Sequence, residues 1–339
     1  MAEAYLVEAV RAPVGRRGGG LAAVHPADLG AHVLTALVER SGIDPAAVED
    51  VVFGCVDTVG PQAGDIARTA WLAAGLPEEV PGVTVDRQCG SSQQAVHFAA
   101  QAVLAGTSDL VVAGGVQSMS QIPIAYAMTA AEPLGFDRGP FVGSKGWVRR
   151  YGDGEVTQFA GAEQIARDWD LSREEMEEYA YASHQKALRA IDEGRFAREI
   201  EPVEGVTTDE GPRRDTTLEK MAGLRTLVDG GRLTAALASQ ISDGAAALLV
   251  ASERAVRDHG LTPRARIHHL SARGEDPIRM LSAPIPATAY ALKKSGMRID
   301  QMDAVEINEA FAPVVLAWLR ETGADPARVN PNGGAIALG

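Results

Sequence analysis

Over its first 120 or so residues the chain alternates short β-rich runs with helical patterns, and this alternation restricts its fold more than any other feature. The runs LVEAV (6–10), EDVVFGCV (49–56), VTV (83–85) and SDLVVAGG (108–115) read as strands. Helical patterns lie between them, around Leu29 to Ser41, after Asp65 and after Cys89. Strands separated by helices predict an α/β layered fold. From Gln117 to about Leu233 the texture changes: KGWVRRYGDG, a charged helix near Ser172 to Ala190, and the loop-like VEGVTTDEGPRRD. The run AALLVAS after Asp243-Gly244 returns to the first texture, so the irregular stretch reads as an insertion into a domain that resumes there. A separate middle domain is the other reading. A chain of 339 residues is long enough for two or three domains.

Composition narrows the function classes. With 46% hydrophobic and 23% charged residues the chain reads as globular, and apolar runs such as Leu110 to Ala113 are too short to cross a bilayer. The start, MAEAYLVEAVRAPVGR, lacks a basic region followed by an apolar signal core, and a cytoplasmic location is expected. A net charge of −13 opposes nucleic-acid binding, which runs on a basic field. Cys55 and Cys89 are expected to stay reduced rather than form a staple. There is no CxxC, no HExxH and no close cluster among the seven histidines, so no metal is expected.

A faint internal repeat aligns ERSGIDPAAVEDVVFG, from Glu39, with KKSGMRIDQMDAVEIN, from Lys293. Both copies read as a helix end, a Gly stop, a short loop and a strand. Only Ser41/Ser295, Gly42/Gly296 and Val51/Val305 are identical, so chance similarity stays open. If the repeat is real, the second copy reaches NPNGGAIALG near the place that corresponds to the Cys89 turn, and the second half is expected to be incomplete.

PGVTVDRQCGSSQQAVHFAAQAVLAGTSDL puts Cys89 where a strand meets a helix. Gly90, Ser91 and Ser92 suit close backbone approach and a helix start, and Gly106 can end the helix. A sulfur there faces unpaired N–H groups and the positive end of the helix dipole, the setting a nucleophilic thiol needs. The alternative is a buried inert cysteine. Cys55, inside an apolar strand, keeps that inert reading.

In order along the chain, VEAVRAPVGRRGGGL, VDRQCGSSQQAV, AGGVQSMSQIP, SQISDGAAALLVAS, EINEAFAPVV and NPNGGAIALG resemble the blocks of the thiolases, enzymes that make or cleave 3-oxoacyl-CoA thioesters in fatty-acid and lipid metabolism. The resemblance implies a thiolase fold: two similar layered αβαβα domains plus an inserted loop domain over coenzyme A, the second core domain being incomplete. On that basis the N-terminal domain is expected over residues 1–117 and 235–263, the loop domain over 118–234 and the C-terminal domain over 264–339. It implies an acyl-CoA C-acyltransferase in which Cys89 attacks an acyl-CoA and becomes a thioester, splitting acyl transfer into two steps. It also implies that Asn308 holds a water in one oxyanion site while the Cys89 backbone N–H serves another. Arg213 is implied near the adenine nucleotide and Ser239 near the pantetheine arm. No tightly bound cofactor is implied. Acetyl-CoA and 3-oxoacyl-CoA are the substrates, and the assembly is a homodimer or homotetramer. Without the family, Asn308 reads as a strand-end turn residue, and Arg213-Arg214 as a solvated pair.

The departures carry expectations of their own. In the family GGAIALG runs on into a histidine-proline-glycine motif and later a second catalytic cysteine. These residues are therefore read as a fragment of a complete thiolase, the other reading being a naturally short, inactive acyl-CoA-binding or structural protein. Thr157-Gln158-Phe159 stands where short-chain enzymes carry His-Met-Gly, Gln117 where glutamate is common, and Ala283-Pro284 where Gly-Pro is common. A standard acetoacetyl-CoA pocket is not expected. Lys145, Arg149 and Arg150 form a basic cluster with no matched role.

Overall fold

The computed structural model describes residues 2–136, 139–154 and 156–339; residues 137, 138 and 155, inside the stretch read as a loop domain, lie outside it. The chain packs as two units. The first comprises Met1–Gly139, Phe196–Glu210 and Ile241–His268, and the second Pro140–Arg195, Gly211–Gln240 and His269–Gly339.

The first unit is built on one sheet. Its strands are β1 (Ala4–Arg11), β2 (Gly15–Arg16), β3 (Asp50–Gly54), β4 (Gly82–Val85), β5 (Leu110–Ser118), β6 (Ser242–Ser252) and β7 (Ala265–Arg266). Their order is β4-β3-β5-β6-β1-β7, with β2 added onto β6. The trio β4, β3 and β5 is parallel, and β6 pairs antiparallel with both β5 and β1. Parallel strands need helical crossovers, which α1 (Pro26–Ser41), α2 (Ile66–Ala73) and α3 (Ser91–Ala105) supply; α8 (Glu253–Asp258) follows β6.

Side chains alternate across the strands. Leu110, Val112 and Val116 of β5 and Ala247 and Leu249 of β6 join a core with Val33, Leu34 and Leu37 of α1 and Ile66 and Trp71 of α2. Val111, Ala113 and Val250 are equally buried but point to the opposite face, where α3 packs on β5, β3 and β6. Burial on both faces explains why these strands read as continuous apolar runs. Helix limits follow local chemistry: His25 Nδ1 accepts from Ala27 N at 3.2 Å to start α1, and Gly42, at φ 68°, ends it.

The second unit is mainly helical. Its elements are α4 (Lys145–Tyr151), α5 (Gln158–Asp168), α6 (Arg173–Asp192), α7 (Leu218–Ala222), α9 (Pro284–Ser295) and α10 (Ala312–Thr322). Ile165, Met176, Met221, Leu233, Phe311 and Ile336 meet in its main core.

The internal repeat is visible in the backbone up to a point. Gly42 and Gly296 both cap a helix in the left-handed conformation, φ 68° and 71°. The 3₁₀ turns Pro45–Ala47 and Ile299–Gln301 then follow at the same spacing. The strand expected next holds for β3 but not for its counterpart, where among the described residues one parallel bridge forms, Val305 to Val329. Beyond that bridge a side chain takes over the pairing. Asn330 Oδ1 accepts from Ile307 N at 2.9 Å and its Nδ2 donates to Ile307 O at 2.9 Å, so an amide stands in for the next backbone pair. No helix among the described residues is long and apolar enough to cross a membrane.

Candidate active site

Cys89 lies in the first unit, exposed, in the turn that joins β4 to α3. The turn is held by its own polar groups. Asp86 Oδ1 accepts from Gln88 N at 2.8 Å, and Ser91 Oγ accepts from Arg87 N at 2.9 Å while donating to Gln88 O at 2.5 Å. Gln88 itself sits at φ 50°, a left-handed conformation that costs a non-glycine residue on the order of 1 kcal/mol or more. Such strain is tolerated where the surroundings fix it, and here it sharpens the bend immediately before the cysteine.

Two glycines bring α3 down onto the strand ends. A Cβ on Gly54 would lie 2.3 Å from Ser92 N, and one on Gly115 2.3 Å from Ser92 Oγ. The first turn of α3 is therefore seated on bare backbone of β3 and β5, and Cys89 precedes that turn. Cys55 has the opposite setting. It is 2% exposed, and burial, reinforced by the charges of Asp57 and Asp86, pushes its thiol up to about 12. Gln117, standing where glutamate is common in the family, accepts from Val56 N at 3.0 Å and so fixes the chain just beyond Cys55.

Asn308, Arg213 and Ser239 all lie in the second unit, and all are exposed. Asn308 precedes a buried carboxylate. Glu309, 1% exposed, accepts from Tyr179 OH at 2.8 Å, Ser183 Oγ at 2.7 Å, Asn330 Nδ2 at 3.0 Å and Ile336 N at 3.1 Å. Burial, and then the charge of Glu309, drive the Tyr179 phenol far above its ordinary range, so it stays a donor. Arg213 is anchored through its backbone, its N–H donating to Nδ1 of His184 at 3.2 Å. His184 is buried, and burial followed by the charge of Arg213 lowers its imidazole to about 4, so it stays a neutral acceptor. Ser239 N donates to Ala310 O at 3.0 Å, which joins the Ser239 segment to the block that carries Asn308.

The chain matches the family model for the thiolase N-terminal domain over residues 4–254 and that for the C-terminal domain over residues 261–339. It belongs to the thiolase family. It is 65% identical to the steroid 3-ketoacyl-CoA thiolase FadA6 of Mycobacterium tuberculosis, over 100% of this chain and 84% of that protein. It is 44% identical to a beta-ketoadipyl-CoA thiolase of Acinetobacter baylyi, over 100% of this chain and 89% of that one. Among solved structures it is similar to the Bacillus anthracis acetyl-CoA acetyltransferase, with a TM-score of 0.86 and 35% identity over 100% of this chain and 88% of that one. The chain is thus an acyl-CoA C-acyltransferase with the thiolase fold.

Within this thiolase, the departures from the family pattern fall in both units: Gln117 lies beside Cys55 in the first, and Thr157-Gln158-Phe159 opens α5 in the second. Thr157 Oγ1 caps α5 by accepting from Ala160 N, and Phe159 follows in the first turn, 42% exposed, its ring edge-on to Phe311 at 5.6 Å. Gly161 of the same helix packs on the backbone of the loop before α9, where an added Cβ would lie 2.6 Å from Arg279 O. The basic residues Lys145, Arg149 and Arg150 fall on α4, where Arg150 stacks over Tyr151 at 5.1 Å. Sequence reasoning missed Glu309, His184 and Gln240. Glu309 lay inside the block EINEAFAPVV, and a carboxylate directly before the apolar run Ala310-Phe311-Ala312 was its only signal. His184 and Gln240 find their partners far away along the chain.

Proposed function

We propose that this thiolase cleaves 3-oxoacyl-CoA through an acyl-cysteine on Cys89. The sulfur of Cys89 adds to the C3 carbonyl; the C2–C3 bond then breaks, and its electron pair stays with acetyl-CoA as an enolate that takes up a proton. The acyl group, now a thioester of Cys89, passes to the sulfur of free CoA and regenerates the enzyme thiol. Both carbonyl additions and the enolate place negative charge on oxygen. The Cys89 N–H at the head of α3 and a water held by Asn308 are the donors assigned to those oxygens. Arg213 takes the adenine nucleotide and Ser239 the pantetheine arm.

The observation that carries this reading is the contrast between the two thiols: Cys89 exposed in a strained turn at a helix start, Cys55 buried and hard to ionise. Incubation with acetyl-CoA followed by peptide mass spectrometry tests it. One acetyl group should appear on the Cys89 peptide; labelling elsewhere, or none, refutes the assignment.

For the acyl group we propose a bulky apolar body rather than acetoacetyl. The 65% identity to a thiolase named for steroid substrates supports this, as does the exposed Phe159 at the position of the short-chain run. The proposed arrangement keeps the N-terminal domain over 1–117 and 235–263, the loop domain over 118–234 and the C-terminal domain over 264–339, in a cytoplasmic homodimer or homotetramer.

A further inference from the structure

Next to Ser239, Gln240 forms a junction to which the reaction scheme above gives no role. Ser239 N donates to Ala310 O, two residues beyond Asn308, and Gln240 N donates to Ala335 O at 3.2 Å. The Gln240 side chain goes further. Its Nε2 lies 3.0 Å from Gly211 O, 3.0 Å from Ile336 O and 2.7 Å from Ala337 O. Two amide hydrogens are thus shared among three carbonyls drawn from two chain segments. One segment leads directly into Arg213; the other is the GGAIALG stretch. Their packing is tight, since a Cβ on Gly211 would lie 2.5 Å from Ala337 O and 3.1 Å from Gln240 Nε2.

We infer that Gln240 is a positioning residue for coenzyme A: its amide clamps the Arg213 loop to the 333–339 segment, next to Ser239. The inference rests on the assignment of Arg213 and Ser239 to the coenzyme. A carbonyl oxygen cannot hydrogen-bond to another carbonyl, so the two segments need a shared donor to stay together, and the Gln240 amide is one. The neighbouring serine is then held in register with both.

The test is the affinity for CoA itself, measured by calorimetry, with Gln240→Met as the variant. Methionine keeps length and volume and removes both amide hydrogens. The dissociation constant should rise about tenfold, the loss of one to two net hydrogen bonds. The rate at which iodoacetamide alkylates Cys89 should stay within about twofold of the parent, since the substitution removes none of the hydrogen bonds that hold the Cys89 turn. An unchanged dissociation constant, in a protein where Arg213→Ala does weaken CoA binding, overturns the inference. If Arg213→Ala has no effect either, the coenzyme assignment falls and the clamp with it. Should Gln240→Met fail to fold, hydrogen exchange on the parent protein decides. CoA must then slow exchange in peptides covering 211–217 and 333–339 together, and protection confined to the first peptide refutes the clamp.

Discussion

Alkylation should separate the two thiols of this chain. At pH 8 Cys55 is buried and, with its thiol pushed up to about 12, almost wholly protonated, whereas Cys89 is open to solvent. Limited iodoacetamide treatment followed by peptide mapping is expected to modify Cys89 at least tenfold faster. Cys89→Ser should remove thiolysis, with a loss of about 10³-fold or more, and Cys55→Ala should retain most of it. His184 gives a second prediction at this scale. Its imidazole titrates near 6.5 when unfolded and near 4 when folded, so between those values the unfolded chain binds the extra proton. Its contribution therefore favours folding above about pH 6.5 and is lost as pH falls through that window. Urea unfolding at pH 7 and pH 5 should show a larger drop for the parent than for His184→Gln, which retains an acceptor for Arg213 N but does not titrate. Equal drops would refute the neutral buried imidazole.

An element depends on what it rests upon, and α3 rests on backbone. Gly115→Ala would drive a methyl group into Ser92 Oγ and to 2.6 Å from Gly54 O, so either β5 or the start of α3 must shift. The expected cost is about 1–3 kcal/mol in urea unfolding, accompanied by slower Cys89 alkylation because the turn moves with the helix. A stable variant with unaltered alkylation would show that the seat is not needed. The elements also show where a sequence can be read and where it cannot. Strands β3, β5 and β6 were legible because burial on both faces writes a continuous apolar run, and the Cys89 turn because small residues and a cysteine mark a helix start. The counterpart strand around Val305 misled for a physical reason: its partner is one bridge at Val329 and then the side chain of Asn330, and a side-chain amide leaves no periodic trace. Glu309 and His184 were hidden for a related reason, since each is defined by donors more than twenty residues away.

At the scale of the molecule, the first unit gathers three stretches of chain, and the shortest, Phe196–Glu210, is returned to it by polar groups. Arg11, near the end of β1, grips Asp209 through two parallel hydrogen bonds of 2.7 and 2.9 Å, bonds Glu199 at 2.7 Å and lies 5.0 Å from the centre of the Phe196 ring. Asp209 is 6% exposed and also accepts from Val14 N at 2.8 Å. Burial opposes the charge on Arg11, but the hydrogen bonds and charges of Asp209 and then Glu199 together outweigh it and hold the guanidinium above its ordinary range. A fork of this kind is geometrically selective, which is how one residue can fix the register of a segment almost two hundred positions away. Arg11→Met would leave the Asp209 carboxylate buried with a single backbone donor, and the expected loss is about 3–5 kcal/mol. The double variant Arg11→Met/Asp209→Leu should recover much of that loss, because it removes the stranded charge along with its partner. Urea midpoints for the three proteins, read at low and at high salt, check the argument. With the Asp209 carboxylate buried, the Arg11→Met penalty should depend only weakly on salt, and a penalty that shrank strongly at high salt would place the interaction at the surface instead.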